Sequence, residues 1–488
     1  MDNSNRGSWK SNFGFLMSAI GSAVGLGNIW GFPYKMGRSG GFTFHIIYIL
    51  LSATVGITIM LAELAMGRKT GKGAIGAYKT LSKKFTWVGW LAVLCPFLIM
   101  SFYTVLGGYC MEYMCLNLSN LAFGVSGSAS GSALFGSMLT NQFGAVVFTL
   151  IFVLFCYLIN RGGVSDGIEK FNKIGMPALF FMLLIVIIRS VTLPNAVEGL
   201  KYMFVPGHAV DAGYIESAPS LITVIATAGG QVFFFLSLAM GIMITYGSYL
   251  SKNESLVKNS FIIAGCDTIV AIMAGLAVLP AAISTGISNG IPVDQIQLGG
   301  PNLLFVTLQD VFNSMGSIGP LFGTIFYLLV LIAAITSTIS LIEVVSAYFI
   351  DKSIEKGKEP KRNKILTGVC IAVLLESILI AVDGLGANGL WVPFQKTFGI
   401  IGSFNDCWLD FIDALTEGIA MPLGAFVMSI MIAWVIKPKS LLPEITGENE
   451  GRVISKLFTI CIKFLVPVVM LLILLGQIDS FFALGIFN

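Results

Sequence analysis

Apolar residues run along this chain in long blocks, with polar residues gathered between them. The blocks fall at 11–35, 42–67, 88–116, 144–160, 168–190, 218–250, 258–285, 320–350, 365–384, 407–436 and 453–477. A membrane-crossing helix needs about 20 apolar residues, so eleven spans are predicted, and the closing DSFFALGIFN is too short for a twelfth. The first block makes a poor helix. Residues 21–33 read GSAVGLGNIWGFP, with glycines at 21, 25, 27 and 31, a polar Asn28 and then Pro33. In hydrocarbon every backbone group must be bonded, so a break survives only where protein or a water-filled cavity receives the freed groups. Gly21 and Gly25 alone could be a packing face for a neighbouring helix. Four glycines that sweep around the helix, with an amide in mid-membrane, predict an unwound segment instead.

A second irregular block lies five spans later. From Gln231 the sixth span reads QVFFFLSLAMGIMITYGSYL, with Ser237 and Gly241 in its middle. That spacing is expected of a five-helix repeat used twice in inverted topology, whose paired broken helices build a midplane site. Span eight then supplies AAITSTIS from Ala333, placing Thr336, Ser337, Thr338 and Ser340 within five residues. Any one such hydroxyl can bond its own backbone; four so close together point to a site. The predicted fold class is an all-α integral membrane protein with an inverted five-helix repeat and discontinuous spans one and six. Its parts are a cytoplasmic segment 1–10, a first repeat 11–190, an extracellular loop 191–217, a second repeat 218–437, and 438–488 with span eleven and an extracellular C-terminus.

Composition agrees with that picture and narrows the function. Of 488 residues 56% are hydrophobic and only 11% charged, which excludes an ordinary soluble globule. With the N-terminus in the cytoplasm, the inside segments hold all but five of the 29 Lys and Arg, the exceptions being Lys35, Arg38, Arg189, Lys201 and Lys396. That bias fixes the orientation and puts the C-terminus outside. The first block lacks a small-residue cleavage site, so it is a span and not a signal peptide. A net charge of +3 without a basic stripe gives no footprint for nucleic acid. The eight cysteines form no CxxC pair and have no histidine partners, as expected of small core residues. No nucleophile triad, phosphate loop or dinucleotide fingerprint appears. An enzyme is not expected, and no catalytic residue is assigned.

The irregular blocks carry the chemistry. Freed carbonyls, the Asn28 amide and Thr/Ser hydroxyls are hard neutral oxygens that suit Na⁺. Freed N–H groups at the start of each half-helix favour an anion such as a carboxylate. Asp267, in GCDTIV of span seven, is an ionisable group in mid-membrane and is rarely idle there.

GSAVGLGNIW with FPY, ELAMGR at 63–68, GQVFFFLSL and ITYGSY together resemble the neutrotransmitter:sodium symporter (solute carrier 6) family, and in particular its bacterial eleven-helix amino-acid transporters. The resemblance runs from Trp9 to span eleven. It implies a sodium site between spans one and eight made by Gly21, Val24, Ala333, Thr336 and Ser337. It implies a second, substrate-side sodium at Ala23, Asn28, Phe235 and Asp267, although Phe235 offers only a carbonyl where the family has a hydroxyl. The implied substrate pocket comprises Ser22, Ala23, Gly25, Leu26 and Gly27; Ile99 and Tyr103; Phe234, Phe235, Ser237 and Met240; and Ser337, Thr338 and Leu341. Amine-specific relatives carry Asp where Gly25 stands, so an α-amino acid with its own carboxylate is implied. Met240 in place of a rigid ring leads to a preference for large apolar side chains.

The same resemblance implies an inner gate of Arg6, Trp9, Tyr249 and Asp351, with Ser248 beside it. The outer gate would use Asp413, but the usual basic partner is replaced by Gly31, leaving Lys35 or Arg38 to serve. Gly167 followed nine residues later by Pro177 matches the motif at which span five unwinds towards the cytoplasm. An acid at Asp267 implies that chloride is not required. The function implied is sodium-coupled import of an α-amino acid by alternating access, with one or two Na⁺ ions. The partners are the amino acid and the lipid bilayer, the protein being a monomer or weak dimer in a prokaryotic plasma (inner) membrane. Two rivals stand beside it: a sensor of the same fold that does not transport, and a proton-coupled exchanger.

Overall fold

The computed structural model describes residues 7–124, 129–296, 298, 300–393, 407–446, 451–482, 484 and 486. Every regular element among them is helical. Among the described residues, nine helices are long and apolar enough to cross a membrane. With the pieces of the two interrupted segments, the framework is α1 (Asn12–Ala23), α2 (Phe32–Arg38), α3 (Phe42–Thr70), α4 (Lys83–Phe123), α5 (Gln142–Arg161), α6 (Val164–Val191), α7 (Leu221–Phe235), α8 (Ile242–Gly247), α9 (Leu256–Ser288), α10 (Gly316–Glu355), α11 (Arg362–Asp383), α12 (Trp408–Val435) and α13 (Arg452–Asp479). The long helices outrun the apolar blocks that predict them, because a helix bonds its own backbone and continues into the polar interface without penalty.

Helices that look alike in hydropathy take very different places. In the most apolar stretch of α10, 83% of residues are buried in protein, against 28% in α5. Small residues make the difference. Gly319, Gly323, Ala333, Ala334 and Ser337 let neighbours close on α10, whereas α5 turns Leu150, Leu154, Phe155 and Leu158 outward. Thus α10 and α4 are the centre of the molecule and α5, α6 and α13 its rim.

Both irregular blocks are broken, more narrowly than their sequences suggest. α1 runs through Gly21 to Ala23; the chain then extends at Val24 (φ −80°, ψ 92°) and recoils as a π-helical turn over Gly27–Gly31 that leads into α2. Pro33 does not end this segment. It sits in the first turn of α2, where a missing N–H costs nothing. The second break joins α7 to α8 through residues 236–241, with Ser237, Ala239 and Gly241 at φ 53°, 61° and 72°. Left-handed backbone at Ser and Ala is costly and persists only where the surroundings hold it.

Candidate functional site

The two breaks face each other beside α4 and α10 and enclose a cavity. The first contributes Ser22, Ala23, Gly25 and Gly27, and α4 contributes Ile99 and Tyr103. The second contributes Phe234, Phe235, Ser237 and Met240, and α10 contributes Ser337 and Leu341. Ile242, which the sequence reading did not single out, also lines it, while the expected Leu26 and Thr338 do not. The Thr338 hydroxyl donates to the Ala334 carbonyl at 2.8 Å, the local bond always open to a Thr in a helix. Leu26 contributes backbone only: its freed N–H donates to the Tyr103 hydroxyl at 2.7 Å. The cavity is small, about 20 Å³, roughly one water's worth.

Side chains across the breaks hold its walls together. The Ser237 hydroxyl donates to the Ser22 carbonyl at 2.9 Å and meets the Ser22 hydroxyl at 3.0 Å. The Ala239 N–H, freed by the second break, donates to Glu63 Oε1 at 2.9 Å. Glu63 opens the ELAMGR motif, yet nothing in the motif tells that its fully buried carboxyl clamps span six. A Cβ on Gly25 would overlap the Tyr103 hydroxyl and stand 2.5 Å from Ser337 Oγ, and one on Gly27 would stand 2.6 Å from the Phe235 ring. Glycine is what lets the first break approach α4, α7 and α10 so closely.

The residues assigned to the span-one/eight sodium site lie along one seam. The Ser337 hydroxyl is 3.2 Å from the Ser22 carbonyl and 3.4 Å from that of Gly21. The Thr336 hydroxyl donates to the Ala333 carbonyl at 2.9 Å, and Val24, at the break, is fully buried with Ala333 and Thr336. Asn172 of α6 faces Gly21 from the other side, its Oδ1 buried and without a hydrogen-bond partner. Sequence reasoning missed it, since an Asn near a span's inner end looks like an interfacial residue.

Of the substrate-side set, Asn28 and Asp267 meet directly. Asn28 Nδ2 donates to Asp267 Oδ1 at 2.7 Å, and the Tyr48 hydroxyl donates to Oδ2 at 3.0 Å. The Gly25 N–H in turn donates to Asn28 Oδ1 at 3.2 Å. Asp267 is fully buried, and both of these partners are neutral. The Phe235 ring turns away towards Phe32 and Tyr48, with centroids 6.4 and 6.0 Å apart.

On the inner side, Trp9 Nε1 donates to the Tyr246 carbonyl at 3.1 Å and its ring packs edge-on against Tyr246 and Tyr249. Tyr249 donates to Glu343 at 2.9 Å, Ser248 to the Thr245 carbonyl at 2.6 Å, and Asp351 accepts from the Gly73 N–H at 2.8 Å. Arg6 lies outside the described residues. The expected unwinding of span five takes another form. Gly167 sits in a π-helical turn over Val164–Glu169, and Pro177 lies inside a continuous helix. This end of α6 is tied to the N-terminal segment: Glu169 accepts from the Lys10 N–H at 2.8 Å and the Ser11 hydroxyl at 3.0 Å, and Lys10 pairs with Asp166 at 2.5 Å.

On the outer side Lys35 reaches α12, as the absence of a basic residue at 31 requires, but its ion pair is with Glu417. Asp413, the expected partner, lies one helical turn back beside Glu417. The shift is geometric, since Lys35 is itself a turn beyond Gly31. The Arg38 side chain is outside the described residues. Gln231 fills the space over Gly31, where a Cβ would be 3.0 Å from its Nε2.

Comparison with known proteins places this geometry in a family. The family model of the sodium:neurotransmitter symporter family matches residues 6–129 and 134–488. The chain is 33% identical over 476 residues to an uncharacterized sodium-dependent transporter, YhdH, of Bacillus subtilis, covering 96% of this chain and 97% of that protein. It is 23% identical over 505 residues to the human sodium- and chloride-dependent GABA transporter 2, covering 95% of this chain and 78% of that one. Among solved structures, that of MhsT in complex with L-phenylalanine superposes with a TM-score of 0.82 at 33% identity, over 97% of this chain and 100% of that one. The paired broken helices and the span-wide match agree: the chain belongs to the sodium:neurotransmitter symporter family, multi-pass membrane proteins that carry out sodium-dependent transport and are not enzymes.

Proposed function

We propose that this protein is a symporter that imports an α-amino acid, large and apolar in its side chain, on the sodium gradient. The observation that carries the reading is the first break, where the Leu26 N–H meets the Tyr103 hydroxyl next to a Gly25 that leaves no room for a side chain. A backbone N–H freed at the start of a half-helix, with a phenol hydroxyl beside it that can also donate, suits a carboxylate once the bond between the two opens. The apolar part of the lining is Ile99, Met240, Ile242 and Leu341, which offers nothing to a charged side chain and favours apolar ones. MhsT, whose structure holds L-phenylalanine, lends weight to the same class of substrate.

The spans number eleven, the nine long helices joined by the two interrupted ones, with the N-terminus in the cytoplasm by the basic-residue bias. Na⁺ binds first at Gly21, Val24, Ala333, Thr336 and Ser337, and a second ion binds at Ala23, Asn28, the Phe235 carbonyl and Asp267. The fixed Asp267 charge makes chloride unnecessary. Opening to the inside requires release of Lys10 and Ser11 from Glu169; opening to the outside requires release of Lys35 from Glu417. Uptake of radiolabelled amino acids into proteoliposomes, with and without an inward Na⁺ gradient, tests the proposal. Binding without accumulation would make the protein a sensor, and accumulation without Na⁺ a proton-coupled exchanger.

A further inference from the structure

Away from the transport site, α4, α10 and α11 leave between them an apolar groove of about 460 Å³. Trp90, Phe97, Val345, Tyr348, Phe349 and Gly368 are among its walls. It is open sideways to the surroundings of the helices: Trp90 is 50% and Phe349 43% exposed. At one end Trp90 meets Tyr348 edge to face, centroids 4.9 Å apart. The groove does not stop there. Lys364 and Ile365 also line a second hollow, of about 480 Å³, whose other walls are Ser353, Lys358, Glu359 and Lys361. Apolar groove and polar hollow are therefore one continuous surface feature that changes character at Lys364.

The charge of the polar half is one-sided. Three lysines there face a single glutamate, and Lys352 stands just above, its Nζ 3.3 Å from the Tyr348 hydroxyl. The neighbouring Arg362 does not add to this, being held by Glu343 at 2.5 Å, and Glu355 does not subtract, being paired with Lys72 at 3.3 Å. An aromatic pair marks the level of the membrane–water interface. An apolar channel on its hydrocarbon side and uncompensated lysines on its water side reproduce the order of a lipid's parts: tail, then phosphate.

We propose that this groove holds one anionic phospholipid, an acyl tail lying between α4, α10 and α11 and the headgroup phosphate resting on Lys361 and Lys364. The two lysines supply selectivity for charge, and the groove supplies retention. α10 carries both the groove and the hydroxyls at 336 and 337, so the lipid braces the helix on which the sodium seam is built.

Native mass spectrometry of the full-length protein, titrated with phosphatidylglycerol or with phosphatidylcholine of the same acyl chains, tests this. Wild type should retain one phosphatidylglycerol with a preference of roughly tenfold or more, the attraction expected of two interfacial lysines. Lys361→Gln with Lys364→Gln should abolish that preference while leaving weak, equal retention of both lipids. Gly368→Trp should remove both lipids. Gly368 lines the groove and a Cβ there meets nothing within 4 Å, so a side chain can start into the groove from this position, and Gly368→Leu serves if the larger residue lowers yield. Equal retention of the two lipids by wild type overturns the proposal, as does an unchanged preference in the lysine double variant or unchanged retention in the Gly368 variants. So does a protein dimer that Gly368→Trp dissociates, since a second copy would then be the occupant.

Discussion

Gly25→Ala is the smallest change that should disable the substrate pocket. The added methyl would overlap the Tyr103 hydroxyl and stand 2.5 Å from Ser337 Oγ. Tyr103 is 3% exposed on the most enclosed face of α4, so it cannot swing aside. Forcing a methyl into such packing costs about 1–3 kcal/mol. Pushing the Tyr103 hydroxyl off the Leu26 N–H leaves a buried donor unbonded, about 1–3 kcal/mol more. To the extent that this cost, at least about 2 kcal/mol in all, falls on the substrate-bound state, where the carboxylate must share the same space, apparent affinity weakens, by roughly thirtyfold or more where all of it does. Tyr103→Phe alone removes only the bond and should cost roughly five- to 150-fold. The double variant separates this account from a general disturbance. Phe lacks the oxygen that the methyl meets, so Gly25→Ala with Tyr103→Phe should bind at least roughly tenfold better than the product of the two single effects implies. Substrate affinity is read from the thermal shift at saturating Na⁺, with uptake in parallel. The shift given by Na⁺ alone reports whether each variant is folded. Single effects that simply multiply would refute the idea that Gly25 and Tyr103 compete for one space.

Four further outcomes are expected. Thr336→Ala with Ser337→Ala should abolish Na⁺-driven uptake by removing both side-chain oxygens from the seam with α1; wild-type sodium dependence in that variant would sink the assignment. Replacing chloride by gluconate should leave wild-type transport unchanged, while Asp267→Ser should either stop it or make it chloride-dependent; indifference to the substitution would leave Asp267 a structural acid. Lys35→Glu should impair transport and Lys35→Glu with Glu417→Lys should restore part of it, whereas no rescue by the charge swap would remove the pair from the outer gate. In competition assays tryptophan, phenylalanine and methionine should outcompete glycine, alanine and charged amino acids, and the reverse order would show the apolar wall to be misread.

Much of this architecture is legible in the residues because bilayer physics leaves few choices. An apolar block of sufficient length becomes a helix, and a block with glycines and an amide in its middle becomes a broken one. Where a break begins is less legible. Gly21 remains helical because a helix tolerates glycine, and the chain departs only at Val24, next to Gly25, whose backbone lies close against Tyr103 of α4 and Ser337 of α10. Contacts between distant charges are harder still. Lys35 stands out as a candidate for the outer gate, but Glu417 looks like one more acid in a span, and only the fold that carries Lys35 to α12 makes them a pair. Glu63 is similar, since its role depends on a backbone N–H in another span, and backbone groups leave no trace in sequence. Thr338 errs in the opposite direction, because a hydroxyl beside Ser337 in sequence points 100° away on the helix.

The buried carboxylate of Asp267, held by Asn28 and Tyr48, also bears on what drives the cycle. A negative charge that belongs to the chain stays behind when the cargo leaves, unlike a chloride ion that can travel with it. An amino acid with both its termini ionised carries no net charge, so each sodium that accompanies it moves one uncompensated positive charge across the membrane. At 100 mV that movement is worth about 2.3 kcal/mol per ion, which adds to the concentration gradient. Under the proposed amino-acid symport, a fixed anion would make the membrane voltage, and not only the salt outside the cell, a source of power for uptake.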